Sequence, residues 1–398
     1  MKKILQFQKS YILYFLFAVI VFLLTRQCPL NSFSFIMNIC LFLFFLFSLQ
    51  DIAKRLNNNF LGILSLLNTI VLLVLALYSL FMDNEVSLIF RFFIVLLLIC
   101  YAYFVKPREK YIKFFLFFIL IQAVFIIGFE IYMITNFNQE TYSALRHVFL
   151  DNNWGDITTY NGYFWKIALK GNALIPFAFF ISLVYYNGLR CYAMSGLFLV
   201  ASIVSGNFAF IVGIVFFILG YLLIKRFTLN QLIILQLFIF FLVIIMAKPA
   251  YKYVTATIDR KAKYSNAVRI EQMKVLVNNM NSGALTLLFG QGLGNTISER
   301  TAFRDYTEKH SYELQPLYIL NQVGLVYFVL FVCFNIILTL KFIKYKKLIL
   351  IYFSYVLYAS FNPYIFDTSH IVVIIVLISL KKVSDGKYSL CDSCSVQS

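Results

Sequence analysis

Long apolar runs, separated by short polar connections, dominate the pattern of hydrophobic and polar positions along the chain. A membrane-spanning helix needs roughly 20 mostly apolar residues, and most of these runs approach that length. We predict twelve helical spans with approximate limits of 5–24, 32–49, 60–82, 86–105, 111–135, 172–187, 191–204, 207–224, 230–247, 316–340, 348–362 and 369–380.

The composition agrees with this pattern. Hydrophobic residues make up 62% of the 398 positions and charged residues only 13%, whereas a soluble domain carries about a quarter charged residues. So much apolar surface cannot be buried in one core. We therefore expect an all-α, polytopic integral membrane protein, with residues 1–398 forming a single membrane domain.

The distribution of charge orients the predicted spans. Basic connections such as "KPREKYIK" and "KFIKYKK" fall on one side, and the positive-inside rule assigns that side to the cytosol. An even number of spans then places both termini in the cytosol. The formal net charge of +17 favours contact with anionic membrane lipid. Nucleic acid is excluded as a partner because the basic residues are scattered over separate connections.

Two connections on the outer side are long, at 136–171 and 248–315. Both are rich in Tyr, Asn, Lys and Arg, and the first contains both tryptophans, Trp154 and Trp165. Long loops of this composition usually carry function, although an insertion that merely covers the membrane face remains the alternative. The second loop has an excess of positive charge, which favours a phosphate-bearing substrate.

A helix is predicted within the second loop, over "SNAVRIEQMKVLVNNMNSG". Ser265 is a suitable N-cap, so Arg269 falls in the first turn. A cation is mildly unfavourable there unless an anion also docks on the free N–H groups. Gln272 shares the face of Arg269. Arg269 and Gln272 are therefore candidate anion contacts, against the alternative of a solvated charge.

Two charges lie inside predicted spans, Arg91 and Glu130. Each is about five residues from the outer end of its span, a similar depth of roughly 7–8 Å at 1.5 Å per residue. Charges inside a membrane are usually paired or face a cavity. We predict an ion pair that lines an outer cavity; the alternative is that each side chain snorkels separately to the interface.

His310 stands where the second outer loop re-enters the membrane, with Glu308 and Glu313 nearby. An imidazole has a pKa near neutrality and suits a general base. The loop faces the side on which a lipid-linked substrate would arrive. His310 and Glu313 are therefore the candidate catalytic residues.

Five segments together resemble the O-antigen polymerase and O-antigen ligase superfamily. In chain order they are "IVSGNFAFIVGIVFFILG", "SNAVRIEQ", "LLFGQGLGN", "KHSYELQPLYILNQVGL" and "SFNPYIFDTS". Each motif is degenerate, but their order and the topology around them are more specific. The resemblance covers most of residues 160–380.

The resemblance implies a metal-independent membrane glycosyltransferase of the helical GT-C type, without a cofactor. It would polymerise O-antigen repeat units by moving a chain linked to undecaprenyl diphosphate onto a new lipid-linked unit. The implied location is the bacterial inner membrane, with a periplasmic active site. A chain-length regulator and a flippase of the same pathway are the implied protein partners.

The resemblance also suggests roles for individual residues. Arg269 matches the family's diphosphate contact, His310 matches the ligase base, and Glu313 lies where polymerases often have Glu. "SGNF" lacks the Arg that many members carry after the Ser, and Lys166 and Lys170 are the candidates to replace that charge. The two tryptophans introduced above offer flat faces on which sugars would stack.

Two other functions remain open. A ligase would transfer the finished chain to lipid A–core, and Ser after His310 departs from the usual ligase pair, which favours the polymerase. A flippase or transporter of the lipid-linked oligosaccharide would also suit twelve spans. It should have short loops and polar groups near mid-membrane, whereas here the polar residues concentrate in the outer loops.

Overall fold

The structure is a computed structural model of the full chain. It describes residues 2–57, 60–159, 164–224, 267–297, 299–301, 305–307 and 312–394. The described residues are mostly helical, with one small hairpin.

The helices, numbered in chain order, have the following bounds: α1 Lys2–Thr25, α2 Gln27–Leu30, α3 Ser34–Asn57, α4 Phe60–Phe81, α5 Val86–Ala102, α6 Glu109–Asn136, α7 Tyr142–Asp151, α8 Ile175–Tyr185, α9 Gly188–Val204, α10 Phe208–Ile224, α11 Ala267–Met280, α12 Ala284–Phe289, α13 Gln315–Ile343, α14 Lys346–Ser360 and α15 Thr368–Cys394. Short 3₁₀ turns precede α3 and α8, at Asn31–Phe33 and Lys170–Leu174.

Eleven of the twelve predicted spans coincide with helices, and the predicted span 230–247 lies outside the described residues. Among the described residues, five helical segments are long and apolar enough to cross a membrane: Gln8–Thr25, Gln27–Asn57, Phe60–Phe81, Glu109–Asn136 and Gln315–Ile343. Four shorter apolar helices accompany them. The architecture is that of a mostly helical protein with several candidate membrane spans, and the total of twelve stays a prediction.

Helices that are close in sequence pack together, α1 on α3 and α8 on α9, and helices distant in sequence also pack, α1 on α6 and α10 on α14. Polar side chains inside the bundle pair with one another, because an unpaired polar group away from water is costly. The Tyr103 hydroxyl hydrogen-bonds Thr339 Oγ1 at 2.7 Å and the hydroxyl of Tyr352 at 3.2 Å. Tyr352 in turn contacts His370 Nε2 at 3.0 Å, so one hydrogen-bonded chain joins α13, α14 and α15.

The first outer loop folds as α7 followed by a β-hairpin, a local exception to the all-α prediction. Strand β1, Gly155–Thr159, pairs antiparallel with β2, Trp165–Leu169. Alternate residues of β2 are buried, as expected for a strand with one covered face. Arg146 of α7 contacts Asp156 of β1 at 2.7 and 3.2 Å, so an ion pair joins the helix to the hairpin.

Helix α13 is interrupted at Gly324, which has φ 72° and ψ 170°. The glycine-rich loop after α12 closes on this break. The N–H groups of Gln291 and Gly292 donate to the carbonyls of Asn321 and Gln322, both at 2.9 Å. These contacts satisfy backbone groups that the interruption releases, a requirement for irregular backbone within a membrane bundle.

The same loop is also held by the connection between α4 and α5. Leu293 N–H donates to Ser79 Oγ at 2.6 Å, and Asn84 Nδ2 donates to the carbonyls of Gln291 and Leu293 at 3.0 and 3.1 Å. Gly290, Gly292 and Gly294 all have positive φ. The three glycines therefore build a backbone clasp between α4 and the broken α13.

Candidate functional site

The two outer loops meet at the N-terminal end of α13. Arg269, in the first turn of α11, contacts Glu313 with 3.3 Å between Nε and Oε2. Both side chains are about one-third exposed, at 35% and 31%. One turn further along α11, Gln272 Oε1 accepts a hydrogen bond from Leu314 N–H at 2.9 Å. Helix α11 therefore fixes the segment that carries Glu313 through one side-chain and one backbone contact.

Lys166 reaches this pair from the first loop. Burial lowers the pKa of Lys166; the carboxylates of Asp156 and Glu313 act in the opposite direction, and the charge of Arg269 reinforces the lowering. Lys166 therefore lies within electrostatic range of both members of the Arg269–Glu313 pair. Two cations and a carboxylate come together at one end of the bundle, although Lys166 lies about a hundred positions before Arg269 and Glu313 lies 44 positions after it.

The absence of a side chain at Gly206 leaves room for the side chain of Lys166. The aliphatic stem of Lys166 crosses directly over the turn between α9 and α10, where a Cβ on Gly206 would stand 2.2 Å from Lys166 Cγ. Gly206 also has φ +65°, which disfavours other residues. The turn "SGN" thus supports the side chain of Lys166. It is the turn in which the family resemblance led us to expect an arginine.

Two amide side chains lock the neighbouring connections to this site. Asn207 Nδ2 donates to Asn362 Oδ1 at 2.9 Å. Gln315 Oε1 accepts from the backbone N–H groups of Ile365 and Phe366 at 3.1 and 3.0 Å, and Gln315 Nε2 donates to the carbonyl of Phe366 at 3.2 Å. The connection between α14 and α15 is therefore fixed to the start of α13.

A cavity of about 90 Å³ lies beside these locks. Its polar lining comes from Lys170, Asn172, Ser205 and Asn207, and Tyr364 contributes an aromatic wall. Lys170 Nζ donates to Asn153 Oδ1 at 2.8 Å. The structure thus places Lys170 at a cavity next to the "SGN" turn.

The predicted ion pair between Arg91 and Glu130 is wrong. Among the described residues these two form no salt bridge. Glu130 Oε1 accepts instead from the backbone N–H of Trp165 at 2.9 Å, because the hairpin packs onto the end of α6. Arg91 is exposed on α5. Burial raises the pKa of Asp367, and the charge of Arg91 partly offsets that rise, so Arg91 acts on a different carboxyl.

The predicted sugar-stacking role of Trp165 is also wrong for this conformation. Its side chain is 0% exposed because β2 turns it inward, where it packs against Tyr142 with ring centroids 5.1 Å apart. Trp154 is half-buried and lies edge-on to Phe149 at 5.4 Å. Trp154 therefore retains a partly accessible face, and its contact with sugar stays a prediction.

Gln272 and His310 were also predicted as site residues. Gln272 is 1% exposed, and its Nε2 has no hydrogen-bond acceptor among the described residues. Its Oε1 is used by the fold, so Nε2 is the group left for an acceptor on a ligand. His310 lies outside the described residues, and its role as a base stays a prediction.

Sequence reasoning missed the locks made by Asn207, Asn362 and Gln315. A signal was present in "FNPYIFD": Asn-Pro favours a turn, and polar residues in an apolar stretch must find partners. Their pairing could not be read from the chain, because Asn207 and Asn362 are 155 positions apart. Comparison with protein-family models and with curated proteins finds no match for this sequence.

The arrangement has defined chemical capacities. Arg269 and Lys166 together provide cationic donors suited to phosphate oxygens. Glu313 provides a carboxylate that accepts protons. Both members of the Arg269–Glu313 pair are partly solvent-accessible, so an incoming anion can compete for the arginine.

Proposed function

We propose that this chain is a membrane glycosyltransferase that polymerises O-antigen-type repeat units carried on undecaprenyl diphosphate. The convergence of Lys166 from the first outer loop with Arg269 and Glu313 from the second is the observation that carries the proposal. The resemblance of five motif segments to the O-antigen polymerase superfamily supports it. In this proposal the fold is of the GT-C type, in the bacterial inner membrane, with the site on the periplasmic side.

The reaction fits these side chains. A hydroxyl oxygen at the non-reducing end of the acceptor unit attacks the anomeric carbon of the donor chain. The bond from that carbon to the diphosphate oxygen breaks, and undecaprenyl diphosphate leaves with the bonding electrons. Arg269 and Lys166 stabilise the negative charge on the diphosphate. Removing one such contact typically lowers the rate by about 10²–10³-fold.

The acceptor proton needs a base. Glu313 is the candidate within the described residues, and His310 is the candidate beyond them. In the structure Arg269 engages the Glu313 carboxylate at 3.3 Å. A diphosphate that takes Arg269 would release this carboxylate, so donor binding prepares the base for the acceptor.

The test is complementation of a bacterial strain that lacks its own polymerase, read on a lipopolysaccharide gel. Arg269→Ala and Glu313→Gln should reach the membrane at wild-type levels but give lipid A–core with a single repeat unit. Arg300→Ala is the matched control, since this arginine lies in the same loop with an 80% exposed side chain that pairs with Asp305. It should give the normal ladder of chain lengths.

The same gel separates the alternatives. A full ladder from Arg269→Ala and Glu313→Gln would contradict the assigned site. Long chains that remain on undecaprenyl diphosphate after deletion would indicate a ligase. Loss of all outward-facing lipid-linked sugar after deletion would indicate a flippase.

A further inference from the structure

A cavity of about 470 Å³ lies at the end of the helix bundle opposite the candidate glycosyl-transfer site. Phe342, near the C-terminal end of α13, lines this cavity, whereas Glu313 precedes the N-terminal end of the same helix. From the break at Gly324 to Phe342 alone, α13 rises by about 27 Å at 1.5 Å per residue. The cavity is therefore a separate feature of the fold.

Four cations surround this cavity, against one carboxylate: Arg55, Lys106, Lys381, Lys382 and Asp385. They come from three parts of the bundle, namely the end of α3, the connection after α5 and the last part of α15. Such convergence gathers like charges, which repel one another unless an anion lies among them. The basic residues of these connections thus form one focused group rather than a diffuse surface.

Hydrogen bonds hold this group in place. Arg55 Nη1 donates to the carbonyl of Val105 at 3.0 Å, next in sequence to Lys106. The hydroxyl of Tyr345 donates to Asp385 Oδ1 at 2.5 Å. Within the described part of the chain, Lys106, Lys381 and Lys382 form no salt bridge. The carboxylate is thus occupied by a tyrosine, and the lysines keep their charge available.

Apolar side chains complete the wall of the cavity. Phe342 and Ile378 lie on facing helices, and Pro107 closes the side next to the cations. Phe342 is fixed by Phe104, with ring centroids 5.0 Å apart. The cationic rim therefore adjoins an apolar wall.

We infer that this cavity binds the phosphate group of an anionic membrane lipid, with the first part of its acyl chains against Phe342 and Ile378. A phosphate placed among the four cations compensates their charge. A soluble phosphate would use the same cations but gain nothing from Phe342 and Ile378. This lipid site does not depend on the proposed glycosyl transfer.

Thermal unfolding of the purified full-length protein in a neutral detergent tests the inference. Phosphatidylglycerol, phosphatidylcholine and inorganic phosphate are titrated separately. The test variant combines Lys106→Gln, Lys381→Gln and Lys382→Gln. The matched control combines Lys110→Gln, Lys346→Gln and Lys347→Gln, which removes equal charge from neighbouring connections that do not line the cavity.

Phosphatidylglycerol should raise the Tm of the wild type and of the control variant, and phosphatidylcholine should not. Because each basic residue near a headgroup contributes roughly a factor of five in affinity, the test variant should bind roughly 100-fold more weakly. Equal stabilisation by inorganic phosphate would overturn the assignment to lipid. Equal loss in both variants, or equal stabilisation by phosphatidylcholine, would overturn the site.

Discussion

Gly324 is the position at which one added methyl group should do the most damage to the fold. Its φ of 72° and ψ of 170° belong to a backbone region used almost exclusively by glycine. A Cβ there would stand 2.4 Å from the carbonyl oxygen of Leu288 and 2.4 Å from the backbone nitrogen of Gly290. Neither backbone atom can move without opening the clasp on α13.

Gly324→Ala should therefore destabilise the protein through two effects. Backbone strain of this kind costs about 1–3 kcal/mol. Displacing the clasp also breaks the hydrogen bonds from Gln291 and Gly292 to Asn321 and Gln322, each worth about 1 kcal/mol or more when buried. A loss of about 3–5 kcal/mol is a large fraction of typical stability and should lower Tm by about 5–10 °C.

The assay is thermal unfolding in detergent, with Gly196→Ala as the matched control. Gly196 lies within α9, and a Cβ there would meet nothing within 4 Å. Alanine should stabilise that helix by roughly 0.5–1 kcal/mol, so Tm should stay the same or rise. If Gly324→Ala and Gly196→Ala unfold at the same temperature, the clasp does not hold α13 as described.

Three further predictions concern the candidate site. Lys166→Met should raise Tm at neutral pH, because burial of the charged amine lowers its pKa and so opposes folding wherever the lysine is protonated. The difference in Tm between the variant and the wild type should shrink as pH rises from the folded pKa of Lys166 towards about 10.4. A Tm difference that is constant with pH would contradict this. The transfer activity of the variant should be about 10²–10³-fold lower at pH 7. Gln315→Leu should cost about 2–4 kcal/mol in denaturant unfolding, since it strands the backbone groups of Ile365 and Phe366, and a wild-type midpoint would refute the lock. Arg146→Met should cost at most about 1 kcal/mol in the same assay, because its pair with Asp156 is more than one-third exposed; a larger loss would show that α7 and the hairpin depend on this contact.

The helices were largely predictable from the sequence because their signal is local. Each apolar run is long enough to be recognised as a helix from its own residues. The predicted span 111–135, for example, coincides with α6, Glu109–Asn136. The hairpin was not predicted, although Trp165–Leu169 alternates inward and outward in the structure. Five residues of alternation are a weak signal beside spans of twenty.

The site was predictable in part. Proximity between residues close in sequence could be predicted, whereas contacts between residues far apart in sequence could not. Arg269 and Gln272 share a helix face, so their proximity follows from helix geometry. The pair Arg91–Glu130 was inferred from similar depth, but depth does not fix the direction of a side chain around a helix. Glu130 faces the hairpin, and that contact depends on a loop fold that the sequence did not reveal.

The glycine-rich loop shows the same limit. Three glycines at such close spacing are typical of a tight turn or of a close approach of the backbone to another group. The structure places that close approach inside the protein, against the break at Gly324. The partner of Gly290 lies in a helix that begins 25 positions later, so spacing alone could not identify it.

Chain growth by the purified protein tests most directly whether it polymerises lipid-linked repeat units. Full-length protein in detergent would receive only repeat units linked to undecaprenyl diphosphate, and both product length and released lipid diphosphate would be measured. We expect a ladder of longer lipid-linked chains, with one undecaprenyl diphosphate released for each bond formed, and loss of both products in Arg269→Ala. No chain growth by folded wild-type protein, or transfer only when lipid A–core is added as acceptor, would contradict it.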